Sequence, residues 1–272
     1  LALTGEERKG SGVVAVQLWV AVGSKSETPE VAGITHFIEH LIFKGTEQVK
    51  GNGMAARIEA LGGSINAYTS YDNTVYHIVV PKEAFKEGFL LLADALTNPA
   101  FPPEEIEKES KVVLEEIKMG EDDPQRKLFK ELYAASFQGH PYGRPIIGYE
   151  ETVRSLSRDD VVRYFRTHYR PGRMAIVVVG DMELTEAKGL AQGVRFGAAG
   201  GDETGEVPSA RKTVQDSARV LTRQVRETYL ALSYAAPPLI HEDVAPLEVL
   251  EVILGQGESS RLVQELKNRR GL

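Results

Sequence analysis

The sequence predicts an α+β fold in which a mixed, mainly antiparallel sheet is covered by helices. Strand-like and helix-like segments follow one another irregularly, which argues against the strict alternation of a doubly wound parallel sheet. Two strand-like segments, 64–70 and 74–80, are separated only by the polar residues Tyr71, Asp72 and Asn73. Such a short polar connection predicts an antiparallel hairpin.

The elements before and around the hairpin follow from their apolar spacing. The segment 12–23 is nearly continuously apolar and rich in β-branched residues, which predicts a buried strand. Apolar residues then recur with helical spacing over 31–43. A further helix is expected at about 54–61, because Gly62 and Gly63 end it.

Helices dominate after the hairpin. Ser157 is followed three residues later by Asp160, a pairing that resembles a capping box and so indicates the start of a helix. The apolar run MAIVVVG predicts another buried strand at 174–180. The predicted helices of this part are 83–96, 104–119, 125–137 and 157–168.

Two domains are expected along the chain. Residues 1–196 would form the first domain, and the stretch 197–210, which is rich in glycine and small residues, reads as a linker. The remaining 211–272 contains a predicted strand at 228–234 and an apolar helix at 245–254. A strand and a few helices alone would leave apolar faces uncovered. This part is therefore interpreted as the start of a second, similar domain that is incomplete.

Composition excludes several kinds of site and partner. The net charge of -7 argues against a nucleic-acid partner, which needs a basic surface to meet phosphates. The chain has no cysteine, so a metal must be held by histidines and carboxylates. No apolar run approaches the roughly 18 residues needed for a membrane span. The sequence favours a soluble protein of the bacterial cytoplasm or periplasm over an organelle.

The most informative residues are His36, Glu39 and His40 in the predicted helix 31–43. Two histidines four residues apart lie one turn apart on the same helix face, so both imidazoles can bind one metal ion. Glu39 lies next to that face and is placed to take a proton from water. The pattern HxxEH is the zincin motif in inverted order. The competing interpretation is an ordinary solvated helix face.

A third ligand has to come from elsewhere, and the segment 109–117 (ESKVVLEEI) offers three carboxylates. Glu109 and Glu116 are two helical turns apart and share a face, whereas Glu115 points about 100° away and is expected to face solvent. Spacing alone leaves open whether Glu109 and Glu116 serve a metal or are surface charges on an amphipathic helix.

The motif GITHFIEHLIFKGT at 33–46 resembles the signature of the M16 metallopeptidases, which include pitrilysin, insulin-degrading enzyme and the mitochondrial processing peptidase. Both this peptidase type and the S-ribosylhomocysteinase lyase share the fold that the resemblance implies. The likeness covers nearly the whole chain. It extends through GGSINAYT at 62–69, ESKVVLEEI at 109–117, HPYGRPIIG at 140–148, RPGRMAIVVVGD at 170–181 and GESSRLVQELKNRRGL at 257–272.

The resemblance implies roles for particular residues. One zinc ion per site would be bound by His36, His40 and Glu116, with Glu39 as the catalytic base. Glu109 matches an additional acidic residue that supports the ligands from behind. The edge-strand residues Asn66 and Ala67 would bind substrate in extended form, although simple hairpin structure also explains them.

The implied activity is a zinc-dependent endopeptidase acting on extended peptides or unfolded segments. The implied partners are a peptide substrate and a second M16 half or subunit that closes a chamber around it. An alternative is a non-catalytic subunit of the same fold, acting in assembly or peptide binding, but such members typically have broken ligands and these are intact. The S-ribosylhomocysteinase type is discarded, because it needs a cysteine and is much shorter.

The remaining histidines, His77, His140, His168 and His241, are expected to be structural. His168 falls at the end of a predicted helix, where a positive charge is favourable.

Overall fold

The computed structural model describes residues 1–50, 53–195 and 218–272. They fall into two compact units. The first contains the described residues up to 195 together with 218–231, and the second contains Leu232–Leu272. The predicted linker 197–210 lies outside the described residues. None of the described helices combines the length and apolar character needed to cross a membrane.

The first unit is built on a five-stranded sheet with the strand order β1-β5-β2-β4-β3. Only β1 and β5 pair in parallel, and the other three pairings are antiparallel. The predicted α+β fold with a mixed, mainly antiparallel sheet is therefore confirmed. The strands are β1 Ala2–Glu7, β2 Val13–Val20, β3 Ser64–Thr69, β4 Thr74–Pro81 and β5 Met174–Gly180.

Eight α-helices of the described residues belong to the first unit. The predicted hairpin, both buried strands and the helices around them are found close to their expected positions, whereas β1, α6 and α8 had no sequence prediction. The helices are α1 Ile34–Ile42, α2 Gly53–Ala60, α3 Phe85–Thr97, α4 Pro103–Asp122, α5 Pro124–Ser136, α6 Glu150–Ser155, α7 Arg158–His168 and α8 Leu184–Gly193.

The core fixes how α1 is rotated. On β2, every second side chain is buried, and α1 buries Phe37, Ile38 and Leu41 in the same cluster. Each such apolar side chain contributes about 1.5–3 kcal/mol when it is fully removed from water. Because this apolar stripe faces the core, the polar side chains of α1 must project from the other side.

Two glycines bring the start of α1 against a distant loop. Gly33 precedes α1 with φ 96°, and a Cβ there would lie 2.6 Å from the carbonyl oxygen of Ile147. Gly148 has φ 81°, and its Cβ would lie 2.3 Å from the carbonyl oxygen of Ala32. Only glycine permits both the positive φ and this backbone contact.

The second unit contains the helix α9 Val244–Gly255 and a π-helical segment Val263–Arg269. The apolar helix predicted at 245–254 is confirmed. The strand predicted at 228–234 is wrong, because that segment has no strand structure and no neighbouring strand among the described residues. Its large apolar side chains are mostly exposed, as at Tyr234, which is 85% exposed. A β-branched or aromatic run forms a strand only where a partner accepts its backbone hydrogen bonds.

Candidate metal centre

Helices α1 and α4 bring His36, His40 and Glu116 together. The Nε2 atoms of both histidines lie 3.8 Å from Glu116 Oε2. One ligand atom from each residue can be chosen so that all three lie within 4.8 Å of one another. Zinc binds nitrogen and oxygen at about 2 Å in tetrahedral sites, which separates neighbouring ligand atoms by about 3.3 Å. The three side chains therefore need only small adjustments to surround one ion.

The chemistry of these three donors also suits zinc. Two imidazoles and one carboxylate are a donor set that zinc binds well, and a metal ligand must be deprotonated. Burial and the neighbouring His40 lower the pKa of His36 to about 4, so its imidazole is neutral at neutral pH. The buried Nδ1 of His36 has no hydrogen-bond partner among the described residues.

Glu109 contacts His40 at Nδ1, the ring nitrogen other than the one that lies near Glu116. Its Oε2 lies 3.2 Å from His40 Nδ1, and its Oε1 lies 2.7 Å from Lys44 Nζ. Glu109 is only 6% exposed, so Lys44 compensates a carboxylate that would be costly to bury alone. A carboxylate on Nδ1 selects the tautomer that leaves Nε2 free for a metal. Glu115 is exposed, as the helical spacing predicts, and it pairs with Lys118.

Glu39 projects beside the triad and is held by the hairpin. The Thr69 hydroxyl, at the end of β3, donates to Glu39 Oε2 at 2.5 Å. Burial raises the pKa of Glu39, and the Thr69 hydrogen bond and His40 partly oppose that rise. A carboxylate with a raised pKa accepts a proton more readily, as a general base requires.

Asn66 and Ala67 lie on β3, at one edge of the sheet. No other strand of the described residues pairs with the outer side of β3, so a partner in extended form has access there. The Ala67 N–H donates to Asn66 Oδ1 at 2.8 Å. A substrate strand bound at this edge would compete with that hydrogen bond. The substrate-binding roles of the two residues stay predictions.

A cleft of about 630 Å³ opens beside the triad. His36, Thr69 and Glu116 line one part of it, and α5 contributes the aromatic side chains of Phe129 and Tyr133. Tyr71 from the hairpin stacks on Tyr133, with ring centroids 5.5 Å apart. The cleft also contains the apolar residues Ile117, Ile146 and Ile147, the cations Arg126, Lys130 and Arg144, and the acids Glu121 and Asp123.

The sequence pattern does not predict this cleft. Phe129 and Tyr133 are one helical turn apart, and both are more than a third exposed. In the sequence, the feature that could have indicated the cleft is this pair of aromatic residues on one face of a predicted helix. The sequence predicts only a turn position for Tyr71, since its stacking partner Tyr133 is distant in sequence.

His168 lies at the end of α7, as predicted, but its imidazole does not supply the positive charge that is favourable there. Burial, Arg173 and Arg170 lower its pKa to about 4, so it is neutral. Its Nδ1 lies 3.3 Å from Arg173 Nη1.

Two family models match successive parts of the chain. Residues 5–150 match the family model of insulinase, peptidase family M16. Residues 155–272 match the model described as the peptidase M16 inactive domain.

Two similar proteins are uncharacterized zinc proteases of bacteria. An uncharacterized zinc protease of Bacillus subtilis, YmxG, is 35% identical over 95% of this chain and 63% of its own length. One from Mycobacterium leprae is 36% identical over 95% of this chain and 59% of its own length. The crystal structure of a Helicobacter pylori protease superposes with a TM-score of 0.82 at 24% identity, covering 98% of this chain and 66% of that one. That likeness supports the fold.

Proposed function

This chain belongs to the M16 family of peptidases, and on that premise we propose that it is the zinc-binding part of an endopeptidase. Its substrates would be extended peptides or unfolded segments of proteins. The observation that carries the proposal is the convergence of His36, His40 and Glu116, with Glu39 beside them. Relatives of this chain are named zinc proteases, which supports the choice of zinc.

The three ligands would hold one zinc ion and leave a coordination position open. When bound, zinc supplies Lewis acidity, which lowers the pKa of a water ligand and polarises the scissile carbonyl. Glu39 takes a proton from the attacking water and later delivers it to the leaving amine. Thr69 keeps the Glu39 carboxylate turned towards the triad, and Glu109 keeps His40 in the tautomer that binds metal.

Substrate recognition would use the edge strand and the cleft together. The outer edge of β3, at Asn66 and Ala67, would pair with the backbone of an extended peptide. The aromatic side chains of Tyr71, Phe129 and Tyr133 would contact its apolar side chains. An extended backbone is required for such pairing, which favours unfolded segments over folded domains.

The chain spans about three fifths of the length of the curated relatives it matches. We therefore propose that residues 1–196 are the zinc-binding domain, 197–210 a linker, and 211–272 the first part of a second, similar domain. A further M16 half or a second subunit would close a chamber over the cleft.

A non-catalytic role in assembly or peptide binding is the second candidate. The observation in its favour is that 155–272 matches the model of the inactive domain. The triad lies outside that region and is complete, which favours the peptidase. Metal analysis separates the two, because a chain that binds no zinc when zinc is supplied belongs to the non-catalytic class.

The catalytic proposal is tested by Glu39→Gln in the protein at its full encoded length. We expect zinc content to stay near one ion per chain, because Glu39 is not a ligand. Hydrolysis of an internally quenched, unstructured peptide should fall by at least about 100-fold, since the general base is lost. His40→Gln serves as the matched control and should lose zinc together with turnover. Unimpaired turnover of E39Q would exclude the role of Glu39.

A further inference from the structure

Glu27 is a buried carboxyl group that the proposed mechanism does not use. It is only 5% exposed and lies in the segment before α1. One carboxyl oxygen accepts from the Gly33 N–H at 2.7 Å, and the other accepts from the Thr35 N–H at 2.9 Å. N–H groups in the first turn of a helix have no partner within the helix. Gly33 has no side chain to cap α1, so Glu27 performs that function from a distance.

Glu27 also connects α1 with the two segments that border the metal centre. It directly follows the short helix Ser24–Ser26, whose Ser24 and Lys25 N–H groups donate to the carbonyls of Ser70 and Tyr71 in the hairpin turn. Arg144, which lines the cleft, donates to the Glu27 carbonyl oxygen at 2.7 Å. The backbone around Glu27 is therefore held by the hairpin turn and by Arg144.

Both protonation states of Glu27 are accessible near neutral pH. Burial raises its pKa to about 7, against the opposing effects of the Gly33 and Thr35 hydrogen bonds and of Arg144. The other titratable groups that influence this site are the phenols of Tyr164 and Tyr169. An ionised carboxylate accepts at both oxygens, whereas a protonated one turns one oxygen into a hydroxyl donor.

We propose that Glu27 is a positioning residue for the metal helix: its two hydrogen bonds hold the N-terminal end of α1 where His36 meets Glu116. This inference depends on the proposed function, because it assumes that the triad binds zinc. Thr35 directly precedes His36, so a shift of the first turn moves His36 with it. His40 has its own support from Glu109, whereas His36 Nδ1 has no partner among the described residues. The direction of His36 therefore depends on the placement of α1.

The experiment measures the zinc dissociation constant of the chain by competition with a chromophoric chelator at pH 8 and at pH 6. Glu27→Gln keeps the size of the side chain but can accept only one of the two N–H groups. We expect E27Q to bind zinc about tenfold more weakly at pH 8, in the range seen when groups that orient metal ligands are removed. The ratio to the wild type should shrink towards one at pH 6, where Glu27 of the wild type is mostly protonated.

Ser157→Ala is the control for general destabilisation. Ser157 caps α7, which carries none of the proposed ligands, so S157A should lower thermal stability without changing zinc affinity at either pH. Glu27→Asp provides a second variant should E27Q fold poorly. It keeps the charge but withdraws the oxygens by one methylene, and it should also weaken zinc binding at pH 8.

The outcomes distinguish the positioning role from the proposed function. Wild-type affinity at pH 8 in folded E27Q, or in E27D where E27Q does not fold, would overturn the positioning role alone. An E27Q effect of the same size at both pH values would overturn it too, as it would indicate general damage. If the wild-type chain binds no zinc, the proposed function fails and the positioning role fails with it.

Discussion

The two histidines of the triad are held by different means. His40 is oriented through its own ring, because Glu109 binds Nδ1 and Lys44 in turn binds Glu109. His36 has no such partner among the described residues, and burial lowers its pKa to about 4. Local side chains therefore set the direction of His40, whereas the backbone of α1 sets that of His36. This difference makes contacts at the N-terminal end of α1 matter for the metal centre.

The raised pKa of Glu27 also predicts how the free energy of unfolding varies with pH. Its pKa is about 7 in the folded chain and near 4.5 when unfolded, so between these values the folded state binds more protons than the unfolded state. The stability contributed by this group is therefore present at pH 4.5 and is lost as pH rises to about 7. One pKa unit corresponds to about 1.4 kcal/mol, so the loss amounts to about 3 kcal/mol.

Glu27→Gln removes this titration, because an amide does not ionise. Chemical denaturation of both proteins from pH 4.5 to pH 8 provides the measurement. The difference in the free energy of unfolding should move in favour of E27Q as pH rises to about 7 and then stay level. A difference that is constant over this range, or that moves in favour of the wild type, would contradict the raised pKa.

At the scale of elements, the contact between the start of α1 and the 147–148 loop requires glycine at position 148. A Cβ at Gly148 would overlap the Ala32 carbonyl oxygen, at 2.3 Å, and φ is 81°. Left-handed backbone costs a non-glycine residue about 1–2 kcal/mol, and the overlap adds to that. We expect Gly148→Ala to lower the free energy of unfolding by at least about 2 kcal/mol, as measured by denaturant titration.

Gly189→Ala is the matched control for this substitution. Gly189 lies within α8, and a Cβ there meets nothing within 4 Å. Alanine is the better helix former by up to about 1 kcal/mol, so G189A should leave stability unchanged or raise it slightly. Equal effects of G148A and G189A would show that the close backbone contact contributes nothing.

Periodicity predicted the elements whose apolar faces meet the core, such as α1 and β2. It missed β1, because none of its residues is fully buried and its parallel pairing with β5 joins the two ends of the first unit. It also predicted a strand at 228–234, where apolar residues lack a partner strand among the described residues. Strand formation depends on neighbours that are remote in sequence, and one segment does not reveal them.

The residues of the candidate site also differ in how far the sequence alone predicts them. Helical spacing alone placed His36, Glu39 and His40 together, because all three lie on one helix. The choice between Glu109 and Glu116 needed the family resemblance, since both lie on the same face of α4. Glu27 and the aromatic cleft were missed, because their contacts join segments that are far apart in sequence.

At the scale of the whole molecule, the two units differ in how well they cover their apolar residues. The sheet, the triad and the main hydrophobic cluster all lie within the first unit, before residue 195. Within the second unit, most residues of α9 are apolar and several of them are exposed, as at Val249, which is 60% exposed. A helix of that kind is normally buried in a larger core. The second unit therefore leaves apolar residues exposed, whereas the first has its own core.

A chain that ends at Arg195 should consequently fold and bind zinc on its own. The described residues removed from the first unit, 218–231, contribute exposed contacts such as Arg219 with Glu131, and exposed ion pairs are worth only about 0–1 kcal/mol. We expect one cooperative thermal transition and a zinc Kd within about threefold of the longer chain. A chain that ends at Gly172 is the control and should not fold, because it lacks β5, which pairs with both β1 and β2. Loss of cooperative unfolding or of zinc binding in the chain ending at Arg195 would show that residues beyond 195 are needed to complete the first unit.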